Sequence, residues 1–181
     1  MKTNSNSSDW FSYQECAELL ITRSALGDLG FEDALVVAQY MRPLTIDAGV
    51  SFIKEGQSSN NSYMMLVMDG DVTIENKLSG DDPQSIVSVV SAGALIGEMG
   101  VLDESPRSAT CTAYTDLQVA VLTRNDLLKL VEEHPGVGVA LILAISKRLS
   151  DRLRETTQKL NKFVRLNRAL QEEIDKGLFP R

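Results

Sequence analysis

The sequence is poor in the side chains that metal and redox chemistry use. It has one histidine, His134, and two cysteines, Cys16 and Cys111, which are far apart and form no CxxC pair. A lone histidine cannot build a His-rich zinc or iron site, so metal catalysis loses its usual ligands and no metal is expected. Two isolated cysteines read as reduced thiols in a cytoplasmic protein, not as a disulfide framework. Positive charge is also short: 18 Lys and Arg stand against 25 Asp and Glu, a net charge of −7. Such a surface repels nucleic acid and anionic lipid, which argues against both as partners. No apolar run approaches the ~18 residues of a membrane-spanning helix. Residues 1–9, "MKTNSNSSD", have no apolar segment and read as a disordered tail, not a signal peptide. No Walker loop, HExxH or nucleophile elbow occurs, and nothing else in the chain reads as an enzyme signature.

What is present suffices for a folded domain. Hydrophobic residues make up 43% of 181, enough for a core. Residues 10–43 read as a helical segment that Pro43 ends. In it, Phe31, Leu35, Val36 and Met41 form the apolar stripe of "FEDALVVAQYM". From 44 to 123 the texture changes to short apolar runs broken by turn residues. Asp69-Gly70 is a tight-turn signal, and Leu117, Val119 and Val121 alternate along one face. About eight short strands without a long helix predict a β-sandwich or jelly roll. The metal-dependent jelly-roll enzymes need clustered ligands that one histidine cannot supply.

After Thr123 the chain turns helical. Thr123 and Asp126 resemble a capping box, His134 reads as a helix-end residue, and Pro135 suits the first turn of a long helix with Gly177 as its terminator. Along that helix Leu153, Leu160, Asn167 and Ile174 alternate with Leu149, Thr156, Phe163 and Leu170 in a 4-3-4-3 rhythm. This is a coiled-coil seam, and a single asparagine at an a position favours parallel two-stranded pairing. The expectation is a parallel homodimer through residues 149–174.

The segment "IGEMGVLDESPRSAT", Ile96 to Thr110, is not an ordinary connection. It places the carboxylate of Glu98 ahead of the guanidinium of Arg107, with Gly97 and Gly100 beside the acid. A short helical turn opening there presents unpaired N–H groups, and glycine lets a ligand approach the backbone. Arg107 offers a planar donor fork for a phosphate. Glu98 is acceptor-only and suits a hydroxyl beside that phosphate. By charge alone, an internal Glu98–Arg107 ion pair serves as well.

The pattern "GEMGVLDESPRSA" resembles the phosphate-binding cassette of the cyclic nucleotide-binding domain family. That family includes the catabolite activator protein and the regulatory subunits of cyclic-AMP-dependent protein kinase. The resemblance extends from about Phe31 to about Glu155, with turn glycines Gly49, Gly56, Gly70 and Gly93. It implies an α+β fold: a β jelly roll, or double-stranded β-helix, flanked by N-terminal helices and a long C-terminal helix. The implied layout is a tail at 1–9, helices at 10–43, the jelly-roll core at 44–123, a helical lid at 124–157 and a dimerising helix at 158–181.

The resemblance also implies roles. Glu98 accepts from the ribose 2′-hydroxyl, and Arg107 pairs with an exocyclic oxygen of the cyclic phosphate. Backbone N–H groups near Met99 and Gly100, and of Ser108, complete the cradle, and Gly97 and Ala109 are counted among the ligand-binding residues. Val87 lines the wall under the base, and Arg152 and Leu153 fall at the base-capping positions, where Arg152 either stacks on a purine or is a solvated charge beside the seam. Ser108, where a threonine accompanies cyclic GMP preference, leans the ligand toward cyclic AMP. No helix-turn-helix follows the long helix. The implied protein is a stand-alone cyclic nucleotide sensor acting through its dimer or an unidentified protein effector. The alternative is a degenerate, non-binding interaction module of the same fold.

Overall fold

The computed structural model of the protein describes residues 10–178, except 59–61, 77–85 and 104. The expected tail at 1–9 lies outside the described residues. The chain begins with helices α1 (Tyr13–Leu20) and α2 (Phe31–Gln39). Eight strands follow: β1 (Arg42–Ile46), β2 (Ser51–Ile53), β3 (Tyr63–Asp69), β4 (Val72–Asn76), β5 (Ile86–Val90), β6 (Leu95–Ile96), β7 (Thr110–Ala113) and β8 (Leu117–Thr123). A one-turn helix, α3 (Glu98–Leu102), interrupts them, and α4 (Arg124–Glu133) and α5 (Pro135–Leu178) close the chain. None of the described helices is long and apolar enough to cross a membrane.

The strands form two antiparallel four-stranded sheets, ordered β1-β8-β3-β6 and β2-β7-β4-β5. This is the jelly roll. Ile46, Met65, Val67, Val72, Ile96, Leu117 and Val119 meet in one apolar cluster drawn from both sheets. The alternation expected for β8 holds for Leu117 and Val119, but Ala120 and Leu122 on its other face are equally buried. Helices α4 and α1 pack on β8 and β3 respectively, so neither strand has a wet face. The turn glycine Gly70 joins β3 to β4 at φ +93°, and a Cβ there would lie 2.4 Å from the Asp116 carbonyl oxygen. Only glycine fits that corner.

Three sequence expectations are corrected. The helical segment 10–43 is two helices, broken at 21–29, where the Thr22 hydroxyl donates to Leu19 O at 2.7 Å and the chain turns. Pro43 does not end a helix. It lies inside β1, an edge strand, where a missing N–H is tolerated. The buried stripe of α2 is Ala34, Val37 and Ala38, and Met41 is buried just beyond the helix, while Leu35 and Val36 are only half-buried. The small alanines take the inner face because α2 packs against α1, and close helix contact selects side-chain size as well as hydrophobicity.

The start of α4 follows the sequence reading. Thr123 is its N-cap: its Oγ1 accepts from Asp126 N at 3.2 Å and donates to Asp126 Oδ2 at 2.6 Å. His134 is the C-cap. Helix α5 begins at Pro135 and runs 44 residues through Gly177, which does not end it. The chain divides into two units, Met1–Ile145 and Ser146–Arg181. The α5 residues of the first unit bury Leu141, Ala144 and Ile145, whereas Leu153, Leu160, Phe163 and Ile174 of the second are exposed.

Candidate functional site

Gly97 and Arg107 anchor the site. Gly97 sits between β6 and α3 in the left-handed region, φ +75°, and caps α3. A Cβ there would come within 2.7 Å of Arg107 Nη1, so glycine serves both the backbone and its neighbour. Arg107 Nη1 donates to Gly97 O at 3.1 Å, and Nη2 donates to Tyr63 O at 3.0 Å. The guanidinium carbon lies 4.3 Å from the centre of the Tyr63 ring. The arginine main chain is fixed too: Arg107 N donates to Gln57 O at 3.0 Å, and Gly56 N donates to Arg107 O at 2.8 Å.

Arg107 is only 7% exposed and Glu98 only 2%. Burying a charge without partners is costly. Two carbonyls and the face of an aromatic ring offset part of that cost for Arg107. Its two guanidinium hydrogen bonds both go to the main chain, so the Glu98–Arg107 ion pair that charge alone allowed is not the arrangement. The guanidinium instead reaches the carbonyl one peptide bond before Glu98. Arg107 Nε is buried and has no hydrogen-bond partner. A buried donor left unpaired costs about 1–3 kcal/mol, and an oxyanion brought to the site would recover it. The residues present therefore fit a phosphate.

The other expected site residues distribute as follows. Met99 is exposed, at 45%. Gly100 is buried, and its N–H closes the α3 turn onto Gly97 O at 3.0 Å, so that donor is already engaged. Ser108 is exposed and Ala109 half-buried, in a bend leading from Arg107 into β7. Val87 lies on β5 opposite Glu75 in the ladder, but its side chain is outside the described residues. Arg152 belongs to the second unit, where it is exposed and its carbonyl accepts from Thr156 Oγ1 at 2.8 Å. The fold thus brings Gly97, Glu98 and Arg107 together.

Sequence reasoning missed two contributors. Tyr63, the first residue of β3, supplies a carbonyl and a ring to Arg107 from 44 positions away. Arg124, the first residue of α4, donates from Nη1 to Val101 O at 3.2 Å and Leu102 O at 2.6 Å, holding the end of α3. Neither has a local sequence signal, because both contacts depend on the strand register. Among the described residues no group of three or more His, Cys, Asp or Glu is placed to hold a metal.

Comparison with known proteins gives consistent results. The family described as "Cyclic nucleotide-binding domain" matches residues 43–134. The crystal structure of a cyclic nucleotide-binding domain from Methylobacillus flagellatus is 28% identical, with a TM-score of 0.70, over 83% of each chain. Thermus thermophilus catabolite activator protein is 25% identical with a TM-score of 0.66, over 81% of this chain and 63% of that one. Among curated relatives, lysophospholipase nte1 of Aspergillus terreus is 31% identical over 59% of this chain but only 7% of its own length. The chain therefore spans a small part of the curated relatives of that kind.

Proposed function

This chain belongs to the cyclic nucleotide-binding domain family, and we propose that it is a receptor for a cyclic nucleotide, with cyclic AMP the favoured ligand. One observation carries the reading: Arg107 is held in the interior by Gly97 O and Tyr63 O, yet its Nε has no acceptor. A phosphate oxygen supplies that acceptor in a charge-assisted hydrogen bond, about 1.5–3 kcal/mol. Glu98, at the head of α3, takes the neighbouring ribose hydroxyl. The N–H groups of Met99 and Ser108 add to the phosphate cradle, and Val87 lines the wall under the base. Ser108 after Arg107 supports the preference for cyclic AMP over cyclic GMP.

The protein acts by binding and not by bond chemistry. Ligand draws α3 and Arg107 together, and α4 and α5 answer with a changed arrangement. The energy of that switch is the difference in ligand affinity between the two states. The exposed seam of α5, with Leu153, Leu160, Phe163 and Leu170, pairs with a second copy and carries the signal to a cytoplasmic protein effector. Neither nucleic acid nor membrane is a partner. Calorimetric titration with cyclic AMP, cyclic GMP and linear 5′-AMP tests this reading. Saturable binding of a cyclic nucleotide, tighter than that of 5′-AMP, is expected. The absence of heat with either cyclic nucleotide would sink it and favour a non-binding interaction module.

A further inference from the structure

We infer that Arg124 is the link that makes helix α4 follow the cassette helix α3. The inference rests on the switching receptor proposed above and names the residue through which the switch is coupled. Helix α3 has five residues, so its last carbonyls have no partners within the helix. Arg124 Nη1 bonds two of them, Val101 O at 3.2 Å and Leu102 O at 2.6 Å. A cation at a helix C-terminus is also favourable toward the helix dipole. At the other end Arg107 holds Gly97 O, at 3.1 Å. The cassette helix is therefore gripped at both ends by arginines, one in the site and one on the lid.

The two arginines share a post. The main-chain N–H of Arg124 donates to Ser62 O at 2.8 Å, and the next carbonyl, Tyr63 O, takes Arg107 Nη2 at 3.0 Å. A shift of α3 relative to the start of β3 thus strains the Arg124 side chain while its backbone stays on the sheet. The relief available is rotation of α4, which begins at Arg124 itself. A further polar tie at this end of α4, Arg42 Nη2 to Asp126 Oδ1 at 3.0 Å, involves an arginine side chain that is 76% exposed. Such surface pairs hold weakly. Apolar packing in general tolerates sliding, whereas two hydrogen bonds from one guanidinium nitrogen fix direction and register. Arg124 is accordingly a positioning residue: it acts on the ligand site only through α3.

Amide hydrogen exchange on the full chain, with and without cyclic AMP, tests the link. In the unmutated protein, cyclic AMP should slow exchange in both 98–102 and 124–134. In Arg124→Gln the change at 98–102 should persist, while the change at 124–134 should shrink by roughly 2- to 30-fold, the range for contacts that carry coupling between sites. Arg124→Lys keeps the charge but not the planar guanidinium or its reach, and should respond between the two. It also preserves the comparison if the Arg124→Gln variant is unstable. A static brace would lower the melting temperature without changing the ligand response of α4.

A second comparison needs no nucleotide. Gly97→Ala displaces Arg107 and disturbs α3 directly. Exchange in α4 should report this disturbance while Arg124 is in place, and should fail to report it in the double variant Gly97→Ala, Arg124→Gln. If α4 of Arg124→Gln, or of Arg124→Lys in its place, answers cyclic AMP and Gly97→Ala as fully as the parent chain does, the link is overturned. If the parent chain binds no cyclic nucleotide but α4 still answers Gly97→Ala through Arg124, the receptor reading fails and the link stands.

Discussion

The two units of this chain treat their large apolar residues in opposite ways. In Met1–Ile145, Leu66, Val67, Val119 and Leu122 are fully buried. In Ser146–Arg181, Leu153, Leu160 and Phe163 are 68%, 61% and 64% exposed. Both sets are periodic in sequence, with period two in the strands and a 4-3 rhythm in the helix. The difference lies in what is available to cover them. A jelly roll closes two sheets onto one core, whereas a single helix covers no face of its own. Periodicity therefore states which face wants burial, and only the first unit contains its own answer.

The largest expected effect tests that self-sufficiency. Leu66→Ala, in the first unit, should cost about 2–5 kcal/mol of stability, the range for deleting a buried leucine side chain, in a denaturant melt. A cost below about 1 kcal/mol would mean that the barrel core is loose. Next comes the site that this rigid frame positions. Arg107→Ala should weaken cyclic AMP binding by about 30-fold or more, since truncating a buried charged partner costs about 2–5 kcal/mol. Equal affinity in calorimetry would remove Arg107 from the site.

The second unit should respond differently. Leu160→Asp should weaken self-association about tenfold or more in sedimentation equilibrium, because it places a charge in an apolar seam. The melt of the first unit should stay within about 0.5 kcal/mol, as for a surface substitution. If self-association is unchanged, another surface, or none, pairs the chains.

The smallest effect concerns the core thiol. Burial, with a lesser contribution from Glu15, pushes the Cys16 pKa up from 9.0 to about 12. The native state thus holds the proton more tightly than the unfolded chain. Its contribution to stability is complete below pH 9 and is lost as pH rises from 9 toward 12. Thiol reagents at about pH 8 should label native Cys16 far more slowly than the unfolded chain. Equal rates would show that this part of α1 opens readily.

Legibility followed the range of each interaction. The eight-strand count, the turn glycines, the Thr123–Asp126 cap and the short helical turn that opens at the cassette depend on neighbours in sequence, and the sequence announced them. The phase of the α2 stripe is not legible from side-chain size, because the inner face carries the small Ala34 and Ala38 where α2 packs on α1. Pro43 has the local look of a helix stop, since nothing near it in sequence reveals that β1 is an edge strand.

By itself, then, the sequence determined the strand-rich middle and the helices after it, the cassette that runs from Glu98 to Arg107, and the unsatisfied apolar seam of α5. Tertiary structure alone decided that Arg107 rests on Tyr63 instead of on Glu98, and that Arg124 ties the end of α3 to the head of α4. The physical reason is that dihedral preferences, capping and periodicity act over a few residues. Carbonyls 44 and 22 positions away reach those arginines only after two sheets have set their register.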